Sequence, residues 1–305
     1  MNRLALLGST GLLGNAFQHT LTSTLHQKHS LFVFNRKTID PANPTKLREA
    51  LSSCKPQVVI NCVAHTNVEV AEDHAEITNE VNATFPTMLA GCCKDLGALL
   101  VHFSSTGCYG AWKDTPYDEE DALHPTTAYH ASKVAGEIGI LRSGVKHLVL
   151  RTGWLYGGPP EHPKNFVWKR LVEALGKPEM VSDASQRGNP TNVSDLVTQT
   201  LALLEKEVAG TYNASATGSA SRFEYVSEIV RASGLPCIVR AGPAFLRKAK
   251  VSSNEMATNR RLDCLGVSLM PDWKHSLVTY VRSLIETPQW KTLAPQQSLG
   301  DSSPH

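Results

Sequence analysis

Five short apolar runs, spaced by segments of helical periodicity, constrain this chain more than any other feature. They are Leu4–Leu7, Leu31–Phe34, Gln57–Asn61, Ala98–Phe103 and His147–Arg151. Each is apolar without polar alternation, the pattern of a strand buried on both faces. Between them, Leu12–Leu25, Lys46–Leu51, Asn79–Leu96 and Ala128–Leu141 repeat apolar residues at helical spacing. Alternating strands and helices imply right-handed β-α-β units, so the expected fold class is α/β with a doubly wound parallel sheet. In such a sheet the ligand lies beyond the carboxyl ends of the strands. Gly8, Asn61, Ser105 and Arg151 all fall at or near those ends, so one crevice is expected to gather them.

The first run turns into Gly8-Ser-Thr-Gly11-Leu-Leu-Gly14. A strand that turns sharply into a helix needs residues without a Cβ, so that a diphosphate can approach the backbone. The free N–H groups and positive end of the helix then hold the anion. This reads as the phosphate-binding turn of a Rossmann dinucleotide site, and assigns Gly8, Thr10, Gly11, Leu12 and Leu13 to the cofactor. With a strand expected from Leu4, no leader segment is expected ahead of it. An NAD site usually carries Asp or Glu about 20 residues past the glycines, to bind the ribose 2′-OH. Here Asn35 stands after the second run, followed by Arg36 and Lys37. A carboxylate repels a 2′-phosphate, whereas this pair of cations attracts one. NADPH is therefore the expected cofactor, with NADH as a second donor.

Tyr129-His-Ala-Ser-Lys133 follows Ser104-Ser-Thr-Gly-Cys-Tyr109-Gly110. Reducing a ketone needs a hydride at carbon and a proton at oxygen. A Tyr hydroxyl can give that proton, but its ordinary pKa of about 10 is high for exchange near neutral pH. An ammonium group one helical turn away favours the phenolate, and the i, i+4 spacing puts Tyr129 and Lys133 on one helix face. Lys133, together with the positive nicotinamide ring, is expected to lower the Tyr129 pKa, and also to bond the nicotinamide ribose. Ser105, at a strand end, is expected to polarise the carbonyl oxygen.

At 305 residues the chain can bury a large core. Residues 1–152 are expected to form the dinucleotide-binding domain, with 191–215 returning to it. Residues 153–190 and 216–287 then form a smaller C-terminal α/β substrate lobe, with helices at Asn165–Leu175, Val193–Glu205, Phe223–Ala232 and Trp273–Ile285. Residues 288–305 are expected to be a disordered tail. A net charge of +2 with 19% charged residues argues against a nucleic-acid surface. No apolar run approaches the roughly 18 residues that cross a membrane. The seven cysteines lack zinc-type spacing and fit a reducing cytoplasm, and the twelve histidines show no metal-ligand spacing, so no metal is expected.

The motifs together resemble an extended short-chain dehydrogenase/reductase of the dTDP-4-dehydrorhamnose reductase group, over roughly residues 3–285. Carrying the likeness are Gly8–Gly14, Val59-Ile-Asn-Cys-Val-Ala64, His65-Thr-Asn-Val-Glu-Val-Ala-Glu72, Tyr129–Glu137, Arg151-Thr-Gly-Trp-Leu-Tyr156, Gly188-Asn-Pro-Thr191 with Asp195, and Pro271-Asp-Trp273. The resemblance implies Ser105, Tyr129 and Lys133 as the catalytic set, and Cys62, Val63 and Ala64 beside the cofactor. It also implies that Asn82 supports the central sheet. Two segments depart from the group. Its Ser-Thr-Asp-Tyr-Val-Phe is Ser104-Ser-Thr-Gly-Cys-Tyr109 here, and its Ala-Tyr-Thr is Ala64-His65-Thr66. Both lie near the expected substrate position, which assigns Thr106 and His65 to the substrate. Arg187 is a candidate for a sugar-nucleotide diphosphate, and Trp154, Phe166 and Trp168 for stacking.

The implied activity is NADPH-dependent reduction of a 4-keto nucleotide sugar, the 4-keto-6-deoxy class included. A nucleotide-sugar epimerase with bound NAD(P) is the alternative, because Ser-Ser-Thr-x-x-Tyr-Gly resembles those enzymes. A non-catalytic NADP-binding regulatory subunit, like the β-subunit of methionine adenosyltransferase, is the third reading. Dehydratases of this superfamily carry Asp-Glu where Thr106-Gly107 stands, so dehydration is not expected. A homodimer through the helix carrying Tyr129 is a family-level expectation.

Overall fold

The computed structural model describes residues 3–24, 30–35, 38 and 43–294. Arg36 and Lys37, which favour NADPH in the sequence, lie outside the described residues, as do 295–305. The first half runs β1 (Arg3–Leu7), α1 (Leu12–Thr24), β2 (Ser30–Phe34), α2 (Pro44–Cys54), β3 (Val58–Asn61), α3 (Val68–Asp73) and α4 (Ala75–Asn79). It continues with α5 (Phe85–Leu96), β4 (Leu99–Ser105), α6 (Ala128–Ser143) and β5 (His147–Thr152). The second half runs β6 (Leu155–Tyr156), α7 (Phe166–Leu175), β7 (Glu179–Asp183), β8 (Arg187–Gly188), β9 (Thr191–Asn192), α8 (Val193–Glu205) and β10 (Gly210–Asn213). Then follow β11 (Ala220–Ser221), α9 (Arg222–Ser233), β12 (Ile238–Gly242), α10 (Arg260–Cys264), α11 (Trp273–Ile285) and α12 (Pro288–Leu293).

Six strands form one parallel sheet in the order β10-β5-β4-β3-β1-β2. The doubly wound sheet expected from the sequence is the one found. Successive side chains alternate between its faces. Leu4, Leu6, Val58, Ile60, Val101 and Leu148 join Phe17 of α1 and Leu196 of α8 on one side. Ala5, Leu7, Val59, Leu100 and Val149 join Leu47, Leu89 and Ile140 of α2, α5 and α6 on the other. With helices on both faces the strands have no polar side, which is why their sequences do not alternate. A further apolar cluster, with Tyr156, Leu171, Tyr225, Trp273 and Leu277, holds α7, α9 and α11 together. No helix among the described residues is long and apolar enough to cross a membrane.

Asn79–Leu96 is helical throughout, as expected, with a π-helical turn, Glu80–Thr84, between α4 and α5. The widened turn aims buried Asn82 at its neighbours. Its Oδ1 accepts the His65 N–H at 2.9 Å, while Nδ2 donates to His65 O at 2.9 Å and to Ser132 Oγ at 3.0 Å. One expectation changes: residues 288–293, expected in the tail, form α12. Thr287 caps α12, whose Trp290 is buried against Trp168 with ring centroids 5.8 Å apart.

Candidate active site

The turn after β1 is built for a close approach. Gly8 has φ +80°, and a Cβ there would sit 2.8 Å from the carbonyl carbon of Cys62 and from the Val63 nitrogen. A Cβ at Gly14 would come within 2.2 Å of Gly8 O. Any larger residue pushes the turn off β3, so the glycines set how near a ligand can come to the backbone. Thr10, Gly11, Asn35, Cys62, Val63 and Ala64 line a cavity of about 210 Å³ at this turn. Burial pushes the Cys62 thiol pKa up, so this cysteine is held as a neutral wall residue.

Next to it, a cavity of about 390 Å³ is lined by Gly11, Leu12, Leu13, Ser105, Tyr129 and Lys133 among others. Tyr129 is in the first turn of α6, an end fixed twice. Thr127 Oγ1 accepts the His130 N–H at 3.1 Å, and Glu72 Oε1 from α3 accepts the Ala128 N–H at 2.8 Å. Ser105 Oγ accepts the Gly107 N–H at 3.2 Å, a bond that leaves its own proton available to a ligand in the cavity it lines.

Lys133 is buried, and burial lowers its pKa from 10.5 to about 8, against the opposing pull of Cys108, Glu137 and Cys62. Its Nζ is 3.3 Å from His102 Nε2, and His102 Nδ1 is 3.1 Å from Asn61 Nδ2. The Asn61 amide is oriented by its Oδ1, which accepts the Val63 N–H at 3.0 Å. Nδ2 therefore donates to His102, and the network assigns the imidazole proton to Nε2, facing Lys133. A neutral amine accepts that proton where an ammonium group cannot. Burial also holds the His102 pKa well below the usual value, so the ring stays neutral. The expectation that Lys133 brings the Tyr129 phenol down is not met within the chain itself. Tyr129 keeps part of its surface open, but burial of its hydroxyl raises its pKa, and Cys108 and Glu255 push the same way.

On the far side of this cavity stand Trp154, Gln186, Arg222, Arg247 and Glu255. Trp154 adopts φ +46°, a costly conformation for a bulky residue. Its Nε1 donates to Glu255 Oε2 at 2.7 Å, and the Arg222 guanidinium lies 3.5 Å above its ring centre. Arg222 Nε also donates to Gln186 Oε1 at 3.2 Å. Burial lowers the Arg222 pKa, with the charge of Glu255 opposing it.

A sequence-family profile described as RmlD substrate binding domain matches residues 1–285. The chain belongs to this family. Over 285 residues it is 31% identical to a dTDP-4-dehydrorhamnose reductase of Mycobacterium tuberculosis, covering 91% of each chain. The Escherichia coli protein of the same name is 28% identical over 301 residues, covering 93% of this chain and 98% of its own. A solved dTDP-4-dehydrorhamnose reductase from Bacillus anthracis, in complex with NADP, superposes with a TM-score of 0.88 at 28% identity, covering 93% of this chain and all of that one.

In this member of the family, Ser105, Tyr129, Lys133 and Trp154 share one cavity, as the sequence implies. Five candidates for the substrate do not line it among the described residues: Phe166 packs against Tyr225 and Trp168 against Trp290, and three polar candidates turn elsewhere. Thr106 is buried with its Oγ1 against Gly153. His65 turns its ring to Thr78 Oγ1 at 3.0 Å. Arg187 forms an ion pair with Glu224 at 3.3 Å, while its neighbour Gln186 faces the cavity. Arg151, expected in the crevice, instead pairs bidentately with Glu137 of α6 at 2.8 to 3.2 Å and donates to Tyr109 at 3.0 Å. Sequence reading missed Arg222, Glu255 and His102. No spacing links Arg222 or Glu255 to the motifs, whereas His102 precedes Ser105 on β4 but sits in an apolar run where nothing local marks it.

Proposed function

We propose that this protein is an NADPH-dependent reductase of a 4-keto nucleotide sugar, with dTDP-4-dehydrorhamnose the first substrate to test. The observation that carries the reading is the convergence of Ser105, Tyr129 and Lys133 on a cavity adjoining the Gly8–Gly11 turn. Relatives named for that reduction match nine-tenths of the chain, and one is complexed with NADP. The glycine turn, whose space any Cβ would fill, fits a dinucleotide diphosphate. The bound cofactor supplies the hydride.

The chain's own groups do the rest. Ser105 donates its free proton to the ketone oxygen and polarises the carbonyl. Tyr129 holds its proton firmly at neutral pH and gives it to that oxygen as negative charge develops there. Lys133 supplies a nearby cation or amine according to pH, and orients the cofactor ribose. We further propose a cytoplasmic homodimer through α6, whose Ile138 and Leu141 are 43% and 50% exposed. Loss of NADPH absorbance with dTDP-4-dehydrorhamnose, and with its UDP, GDP and CDP counterparts, tests the reading, with NADH in parallel. Tyr129→Phe is expected to lower turnover by about 10³-fold and leave NADPH binding intact. Retained turnover in that variant overturns the mechanism. Silence across the substrates, in a protein that binds NADPH, favours the epimerase or regulatory reading instead.

A further inference from the structure

Glu255 is a buried carboxylate in the active cavity that the reduction does not use. It comes from the loop between β12 and α10, far in sequence from the motifs. Its Oε2 is engaged by the Trp154 indole, while Oε1 lies 4.0 Å from His130 Nε2. His130 Nδ1 is 3.0 Å from Thr127 Oγ1, which already accepts the His130 backbone N–H. With the Thr127 hydroxyl proton given to Nδ1, the ring proton is on Nε2 and faces the carboxylate. A Cβ added to Gly107 would sit 2.9 Å from Glu255 Oε1, so this oxygen lies over the turn that follows Ser105. Tyr129 completes the arrangement, edge-on to His130 with ring centroids 4.9 Å apart. One cavity is thus bordered by two hydroxyls suited to a carbonyl oxygen and, beside them, an acceptor for a proton from carbon.

We propose that Glu255 is a general base that exchanges a hydrogen on the carbon next to the carbonyl of the bound 4-keto sugar. This rests on the reductase reading of the same site. Hydrogens next to a ketone are acidified by it, and they sit one bond from the carbon whose oxygen Ser105 and Tyr129 hold. Glu255 Oε1 takes the proton, and the C–H electron pair becomes a C=C bond. The carbonyl π pair moves onto oxygen, giving an enolate bonded by the Ser105 and Tyr129 hydroxyls. Return of a proton from Glu255 to the same carbon restores the ketone. Nothing is oxidised or reduced, and the hydride is untouched.

The test incubates the full chain in D2O with dTDP-4-dehydrorhamnose and NADP+, which cannot reduce it. NMR follows the ring hydrogens flanking the ketone against an enzyme-free blank. One of these signals is expected to vanish faster than in the blank. Glu255→Gln should slow that loss by about 10²-fold, and Glu255→Asp should recover part of it. Glutamine still accepts the Trp154 N–H, so NADPH binding and tryptophan fluorescence check that the wall is preserved. Exchange at the blank rate, or exchange undiminished in Glu255→Gln, overturns the proposal. Adding NADPH separates the two readings. Reduction without deuterium in the product removes the base role and leaves the reductase, whereas exchange without reduction keeps the base role and removes the reductase. If neither occurs, both fall.

Discussion

Replacing Lys133 with methionine should make the cofactor-free protein more stable at neutral pH while abolishing turnover. In the fold, burial brings this lysine from 10.5 to about 8. At about 1.4 kcal/mol per pH unit, holding it as an ammonium group therefore costs roughly 3 kcal/mol below pH 8. The unfolded chain keeps the proton up to about 10.5, so between these values it binds more protons than the native state. Stability therefore rises with pH through that window, and below pH 8 the full cost persists. Methionine keeps the apolar stem and removes the charge; the His102 Nε2 proton loses an acceptor only where Lys133 is a neutral amine, above pH 8, at a cost of about 1 kcal/mol there. Lys133→Met should then be about 3 kcal/mol more stable than the parent at pH 7. That advantage should disappear, and reverse slightly, by pH 10.5. Urea unfolding of both proteins at several pH values reads the difference, and subtraction removes the other lysines, which are common to both. A difference that stays constant from pH 7 to 10.5, or a parent more stable at pH 7, refutes the reasoning. It would mean that Lys133 is not desolvated as its position implies.

Two other substitutions test the supporting structure. In Gly188→Ala the new Cβ would meet the Trp154 ring at 2.5 Å, so the indole must leave Glu255. Steady-state kinetics should show kcat/KM for the ketone falling by about 10²-fold with NADPH binding unchanged, and unaltered kinetics would remove Trp154 from the substrate wall. Asn82→Ala removes the Asn82 hydrogen bonds to His65 N, His65 O and Ser132 Oγ. It should destabilise the fold by about 3 kcal/mol in chemical unfolding, and no measurable change would show that the π turn does not depend on this side chain.

The strands, the glycine turn and the Tyr129–Lys133 face were legible because each depends on near neighbours in sequence. An unalternating apolar run of five residues can satisfy its faces only between two layers, and β1, β3, β4 and β5 divide their side chains accordingly. A spacing of four puts two side chains on one face of a helix whatever surrounds it. The sign of the electrostatics was not legible. Spacing placed Lys133 beside Tyr129, but burial raised the phenol and lowered the amine, and burial is a property of the assembled sheet and helices.

The far wall of the cavity shows the same division more sharply. Sequence pointed to Arg187 as the cation for an anionic substrate, yet that side chain turns to Glu224 while Gln186 faces inward. In extended chain one residue's step reverses the side, so a motif can mark the segment without marking the residue. Arg222, Glu255 and His102 come from an α9 terminus, a loop and a strand interior, each unremarkable in its own stretch. By itself the sequence determined the layers, the phosphate turn and the reacting hydroxyls, because those follow from local periodicity and backbone geometry. Only the tertiary structure decided which charges face the cavity and what protonation they hold, because both depend on which distant segments meet there and how much water they exclude.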